Sequence, residues 1–506
     1  MLFLAVGCNI QMLLCCVFLA LSVAVATGDV DLPLRHRNIL YHRKPWLCRQ
    51  KGNCDIEESP KCWGHEDDCV NRFEPDWPDS CDERKQWRFW QQGDFGWMRT
   101  RLDELRGMRV CESESGSSLN CTKWLQFCQG SFIYLDLRGD KPRGFHPTNL
   151  FSNGEIGGKC HVDVELLKGQ SLPKVEGWLR SWYPELQAFE NVPYAHNDSF
   201  CDMIINEPVV MMKLDQGENL YHHMCDFLNL YLSLHLNDSI EFDKNIRIVR
   251  WDWSVRPYKD FFHESWEAFT KHPLVNLRDW AGKRVCLKSV IFSFLPRMIS
   301  GLYYNLKLVD ECQGSGMVKS FSQFFLHRLR IQQYPPQKEK IRVTFLSRRS
   351  YDSHITHPMY RKILNEDELL EVLRSFPDFQ LRVEEFKHDD MTFKDQLSVT
   401  SNTDILIGIH GAGLTHALFL PNHAVIFELY DCDAKCFRDL ARLRGVRHMT
   451  WQNPETMTRH DGDEKYKDNP RYWNYSFQPD DFRRLILQAR TMLFERWSAA
   501  AVHNEL

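Results

Sequence analysis

The chain has no excess of positive charge. Its 63 Lys and Arg stand against 68 Asp and Glu, a formal net charge of -5, which excludes the cationic surfaces that draw a protein to nucleic acid or to an anionic membrane. No apolar run is long enough to make a clear membrane span, and no internal repeat is visible. Cys432 and Cys436 lack a second cysteine pair nearby, so a local disulfide or burial is expected there rather than a metal site. What is present is length: 506 residues suffice for two or three domains with full cores. The 16 Trp, 32 Phe and 16 Tyr suit a protein that grips sugars or peptides, although cores use aromatics too.

The two ends carry addresses. Met12 to Ala26 is an apolar run closing on Ala24-Val25-Ala26, so residues 1–26 read as a cleaved signal peptide, although no basic residue precedes the run. His503, Asn504, Glu505 and Leu506 form a KDEL-like tail for a retrieval receptor, which places the protein in the endoplasmic reticulum lumen. Ten of the 18 cysteines lie irregularly between Cys48 and Cys201, a pattern that in an oxidising lumen means disulfides rather than zinc. Fifteen remain beyond the signal, an odd number that leaves at least one thiol unpaired. Sequons at Asn120, Asn197, Asn237 and Asn474 mark surface loops if glycosylated.

Residues 27–204 read as a Cys-rich N-terminal region with short strands such as Phe132 to Leu137, joined to a first Rossmann-like lobe at 205–334. In that lobe strands are expected at Pro208 to Leu214, Ile246 to Trp251 and Val285 to Phe292, with helices from the N-cap Asn219 to Leu236 and from Val318 to Leu329. Met224, Phe227, Leu228, Tyr231 and Leu232 form one stripe of the first helix, and His222, Asp226, Asn229 and Ser233 fall opposite. That polar face is either solvated or lines a cleft in which His222 and Asp226 work as an acid/base pair.

After a linker at Gln332 to Lys340, a nucleotide-binding lobe is expected at 335–480, followed by a C-terminal helix from 481. Strand Ile341 to Leu346, helix Glu366 to Ser375, strand Phe379 to Glu385 and helix Phe393 to Thr400 lead to the stretch Asn402 to Glu428. There a buried strand, Asp404 to Ile409, meets the turn His410, Gly411, Ala412 and Gly413, and a helix begins at Leu414 and Thr415 and stops at Pro421. A strand, glycine turn and helix present free N–H groups where a pyrophosphate can sit, with Glu428 placed to take ribose hydroxyls; the plain alternative is a tight turn whose two glycines supply positive φ. Arg348 and Arg361 lie where they could fork onto phosphate oxygens, and Arg349 reads as a solvated loop charge.

The H-G-A-G-L-T-H block at His410 to His416, the segment from Arg361 to Glu366, the NLYHHMCDF stretch and the KDEL-like end resemble the protein O-linked N-acetylglucosamine transferases of glycosyltransferase family 61, over about Leu47 to the end. The resemblance implies an α/β, GT-B-like architecture of two Rossmann-type lobes facing a cleft. It also implies UDP-N-acetylglucosamine as donor and Ser/Thr hydroxyls of folded EGF-like repeats as acceptors, in an inverting displacement with a base from the N-terminal lobe. A different sugar or a non-EGF acceptor, or an inactive EGF-binding chaperone or lectin, are the alternatives. Relatives carry an acidic Asp-Tyr-Asp triplet where this chain has Lys271-His272-Pro273. No cofactor is therefore required by the sequence, and arginines with a helix N-terminus, rather than a divalent cation, are expected to neutralise the leaving group.

Overall fold

The computed structural model describes Leu32 and residues 80–503, apart from 115, 142–149, 176, 237–241, 255–257, 307, 338, 350–360, 430–434 and 461–471. The signal segment, most of the Cys-rich opening, Asn237, Cys432 and Asn504 to Leu506 lie outside these residues. Contacts divide the chain into Met1–Phe73 and Glu74–Leu506. The second unit is a mixed α/β assembly built on two large sheets.

The first sheet has eleven strands. Four that lie side by side and parallel are Val209–Met212, Arg247–Arg250, Val275–Asn276 and Arg284–Phe292, taken as first to fourth along the chain. They lie in the order third-second-first-fourth, the opening order of a doubly wound sheet, so the chain reverses direction across the sheet between Val209–Met212 and Arg284–Phe292. Val209 to Met212 is apolar and fully buried, as a strand covered on both faces must be. Beyond the fourth strand the sheet continues antiparallel through Cys128–Asp136, Ser118–Cys121, Arg109–Glu112 and His161–Val162. The Cys-rich region therefore extends the sheet of the first lobe instead of folding beside it.

Four disulfides are formed among the described residues. Cys111–Cys160 and Cys121–Cys128 are local, while Cys201–Cys286 and Cys81–Cys312 reach out of the Cys-rich stretch into the first lobe. Cys225 is a buried free thiol. Asp94 adds a non-covalent fastening. Its buried carboxylate caps the helix Phe95–Gly107 and accepts from the Gly316 and Met317 N–H groups and the Ser315 hydroxyl at the start of the helix Gly316–Arg328. Burial nevertheless pushes this carboxyl up to about 6.

The second sheet is wholly parallel. Taken along the chain, its strands are Ile341–Leu346, Phe379–Glu384, Ile405–Gly408, Val425–Glu428 and Arg447–Thr450, arranged second-first-third-fourth-fifth. This is the other common doubly wound order, and its reversal falls between Ile341–Leu346 and Ile405–Gly408. Ile341, Val343, Phe345, Ile405, Ile407, Val425 and Phe427 share one core with Leu369 and Leu373 of the helix Glu366–Arg374 and with Phe482, Leu485, Ile486 and Trp497 of the helix Pro479–His503. Among the described residues, no helix is long and apolar enough to cross a membrane.

Two local expectations change. The segment after the glycine turn is a 3₁₀ helix, Ala412–Phe419, rather than an α-helix, and every residue from Leu414 to Phe419 is buried. A short helix wedged between neighbours on all sides is set by packing more than by its own hydrogen-bond ladder. In the helix Leu220–Leu236 every residue except Tyr221 and His222 is buried. The face holding Asp226, Asn229 and Ser233 is therefore neither solvated nor open to a cleft.

Candidate active site

Both reversal points gather reactive side chains outside the carboxyl ends of their strands, where open α/β sheets bind ligands. In the second sheet the loop leaving Ile341–Leu346 carries Arg348 and the loop leaving Ile405–Gly408 carries His410 to Gly413. The structure brings the two together: a Cβ at Gly411 would collide with the Arg348 guanidinium. Gly411 has φ 167, ordinary extended backbone, and Gly413 is not among the glycines at positive φ. Close approach, not left-handed geometry, is what glycine supplies at 411. Ala412 and Gly413 are part-exposed and precede the first helical bond, Leu414 N–H to Gly411 C=O at 2.9 Å, so their N–H groups lie at the positive end of the helix. Gly411→Ala should displace only the flexible end of Arg348; the expected outcome is nearly unchanged thermal stability with a several-fold rise in the KM for a diphosphate donor, read by calorimetry and steady-state kinetics.

His416 fixes this turn. Its Nδ1 lies 2.8 Å from the Gly413 carbonyl oxygen, which can only accept, so Nδ1 carries the proton. Burial pushes the imidazole down to about 4, and it stays neutral. Glu428, expected at ribose hydroxyls, is buried and bonded within the protein. It is 3% exposed, and its two oxygens bond the Nδ1 of His410 at 2.5 Å and the Nε2 of His448 at 2.9 Å. Burial opposes its charge, but these two imidazoles hold it below the ordinary range, and its bond to Nδ1 fixes the His410 ring.

Arg361 has φ 62, a left-handed conformation that costs a side-chain-bearing residue roughly 1 kcal/mol or more. Arg349 is a half-exposed loop charge, as read from sequence, but it is held: its Nε donates to Glu366 at 2.6 Å and its Nη2 to Asp367 at 2.5 Å.

In the first sheet the reversal point brings together Asp215, in the loop after Val209–Met212, Arg297, in the loop after Arg284–Phe292, and His222, in the first turn of the helix Leu220–Leu236. Asn219 starts that helix by accepting from the Tyr221 N–H at 3.1 Å. The Nδ1 of His222 lies 2.8 Å from Asp215 Oδ2, 2.6 Å from the Tyr304 hydroxyl and 2.8 Å from Arg297 Nη2. Arg297 Nε donates to the same Asp215 oxygen at 2.7 Å, and its guanidinium stacks over Tyr304. Although burial opposes it, the bonds from His222 and Arg297 keep Asp215 below the ordinary carboxylate range. Arg297 Nη2 can only donate and also lies 2.7 Å from Asp215 Oδ2; in the tautomer that gives Nδ1–H to Asp215, Nε2 is the unprotonated nitrogen, on a ring whose side chain is 22% exposed.

The expected pairing of His222 with Asp226 is not the one formed. Asp226 is fully enclosed and bonds His223 Nδ1 at 3.2 Å, while His223 Nε2 bonds Asp260 at 3.1 Å. Four residues along a helix do share a side, but Asp226 points into the core, where His223 is the nearer imidazole. Burial opposes charge on His223, yet the two carboxylates push it up to about 9. Because the folded value lies above the unfolded 6.5, this stabilisation is complete below about pH 6.5 and is lost as pH rises through about 9. The unfolding free energy from denaturant titrations should accordingly fall over that window, by at most about 1.4 kcal/mol per pH unit, and His223→Gln should flatten the slope.

Aromatic rings connect the two reversal points. Phe437, in the helix Cys436–Arg444, lies 5.0 Å from the His410 ring and 5.6 Å from Tyr221, the neighbour of His222. Phe419 of the 3₁₀ helix stacks on Phe325 at 5.2 Å. Asp215, Arg297, Tyr304, His223 and Asp260 were missed in the sequence. The strand-end position of Asp215 was a usable signal, whereas Arg297 and Tyr304, in irregular chain far from His222, offered none.

Lys271, His272 and Pro273 precede the short strand Val275–Asn276, at the amino ends of the parallel strands, the opposite end from Asp215 and Arg297. His272 Nε2 lies 2.9 Å from the Asn245 carboxamide oxygen. A cation, an engaged imidazole and a proline do not fit a divalent metal. Of the sequons, Asn197 is exposed; Asn120 and Asn474 are part-buried in paired strands, and Asn474 accepts from the Lys362 N–H. His503 ends the last helix.

The Glycosyltransferase 61 family pattern matches residues 220–427, a span that begins with the His222 helix and ends at the strand carrying Glu428. A Mus musculus protein named EGF domain-specific O-linked N-acetylglucosamine transferase is 40% identical over 503 residues, covering 95% of this chain and 93% of the relative. Proteins of the same name from Xenopus laevis and Drosophila melanogaster are each 40% identical, the first over 91% of this chain and 89% of the relative, the second over 85% and 83%.

Proposed function

The chain belongs to the glycosyltransferase 61 family, and from that premise we propose that it transfers N-acetylglucosamine from UDP-N-acetylglucosamine to Ser or Thr hydroxyls of folded EGF-like repeats in the endoplasmic reticulum lumen. The names of its relatives support the sugar and the acceptor. The observation that carries the reading is the complementary chemistry of the two reversal points: an arginine set against a glycine turn at one, a carboxylate-held histidine at the other, with Phe437 between them. That complementarity supports the reading of a GT-B-like cleft that takes the donor on the C-terminal sheet and the acceptor on the N-terminal sheet.

In this mechanism His222 Nε2 takes the proton of the acceptor hydroxyl as its oxygen attacks the anomeric carbon, and Asp215 stabilises the imidazolium that forms. The bond to the diphosphate breaks on the opposite face, so the configuration inverts. The charge developing on UDP falls to Arg348, Arg361 and the Ala412 and Gly413 N–H groups.

Measuring UDP release with and without a folded EGF repeat tests the reading: acceptor-dependent release is expected, and a binding module or lectin would show none. Four disulfides support an oxidising compartment. Deleting His503 to Leu506 should leave specific activity nearly unchanged and send the protein into the medium; continued retention would overturn the address.

A further inference from the structure

We propose that Asp226, His223 and Asp260 form a buried positioning array that holds the Asp215 loop and, through it, the ring of His222. The inference rests on His222 being the base of the proposed reaction and says what keeps that base in place. Its starting point is a bond that joins the two clusters: the Asp215 N–H points at both oxygens of Asp226, at 3.2 and 3.4 Å. The residue whose side chain holds His222 is thus itself held, through its backbone, by Asp226.

The array behind that bond is closed and satisfied. Both nitrogens of His223 face carboxylate oxygens, and ionised carboxylates only accept, so His223 donates twice and is an imidazolium. Asp260 also accepts from the Trp266 indole N–H at 2.7 Å and the Phe262 N–H at 2.9 Å. Phe227, Tyr258, Phe262 and Trp266 surround the imidazole. The charged groups bearing on His223 are Asp226 from its own helix and Asp260 from the loop after Arg247–Arg250. Asp215, from the loop after Val209–Met212, bears in turn on Asp226.

The array therefore ties the helix Leu220–Leu236 to the loops leaving two adjacent parallel strands, close to the reversal point. Burying two ionisable side chains and most of a third is costly, and apolar residues of similar volume would commonly stabilise the fold as well. What apolar residues could not do is grip the Asp215 N–H. Asp226 and Asp260 touch no substrate in this scheme and act by position, in contrast to the sequence reading of Asp226 as the base.

A double-mutant cycle on the purified full chain tests this, with UDP-N-acetylglucosamine and a folded EGF repeat as substrates. Asp226→Asn should lower kcat about tenfold to a hundredfold with the donor KM unchanged, and it should add nothing in a His222→Ala background. Losses that multiply across the cycle would overturn the proposal, as would an unchanged kcat in Asp226→Asn. Should that variant fail to fold, Asp260→Asn takes its place at the far end of the array, with the same outcomes.

A readout independent of turnover separates this inference from the assigned reaction. Carbethoxylation of His222 by diethyl pyrocarbonate, followed by peptide mass spectrometry, should run about twofold faster in either variant, because a loosened Asp215 no longer holds Nδ1 and the ring moves more freely. An unchanged rate overturns the positioning role even if the parent proves to be no transferase. A changed rate in a parent without UDP release keeps the array and sinks the reaction.

Discussion

His222→Ala is expected to cut acceptor-dependent transfer by at least about a hundredfold, the lower range for loss of a general base, while leaving UDP affinity as it was. A serine or threonine hydroxyl is a poor nucleophile at neutral pH, and its proton must leave as the new bond forms. Among the described residues His222 alone combines a part-exposed ring, a carboxylate on one nitrogen and a place at a reversal point of the sheet. Asp215→Asn keeps the size but offers an amide where the imidazolium needs a charge, so its loss should approach that of His222→Ala. Titration calorimetry with UDP checks the binding half and initial rates at saturating donor check the chemical half. Near-parental turnover in His222→Ala would move the base elsewhere in the N-terminal lobe, and loss of UDP binding would place the ring on the donor instead.

Arg348→Ala carries the second large effect. A charge-assisted bond to a diphosphate is worth roughly 1.5 to 3 kcal/mol, so UDP binding should weaken by about tenfold to a hundredfold and turnover should slow with it. Lysine should rescue poorly if the guanidinium binds two oxygens at once. Because Arg348 lies against Gly411, the double variant Gly411→Ala, Arg348→Ala should be no worse than Arg348→Ala alone. Arg361 allows a cleaner separation of strain from chemistry. At φ 62 a glycine would relax the backbone, so Arg361→Gly should be at least as stable as the parent yet bind UDP more weakly. Parental affinity in Arg348→Ala or in Arg361→Gly would return that arginine to the ordinary loop charges.

The sequence by itself determined the elements and their alternation. Ile341–Leu346 and Phe393–Thr400 fall where the pattern puts them, and most other strands and helices of the two sheets agree within a few residues. Apolar runs of four to six residues, broken by Gly, Pro and Asn, allow few other solutions. The H-G-A-G block, its helix stop at Pro421 and the place of Arg348 beyond a strand end were legible for the same reason: they are local.

Only the tertiary structure decided which side chains meet. Asp226 looked like the partner of His222 because helical spacing puts them on one side. A helix enclosed on nearly all sides turns a polar stripe into buried structure, and spacing cannot tell a solvated face from one pressed against a loop. The true partners, Asp215 and Arg297, come from the ends of two neighbouring strands and lie 82 residues apart in sequence, and their meeting depends on the strand order. Gly411 makes the same point at atomic scale. Its sequence announced a tight turn, but the need for glycine comes from the guanidinium of Arg348 folded against it, an approach that exists only once the two strands pair.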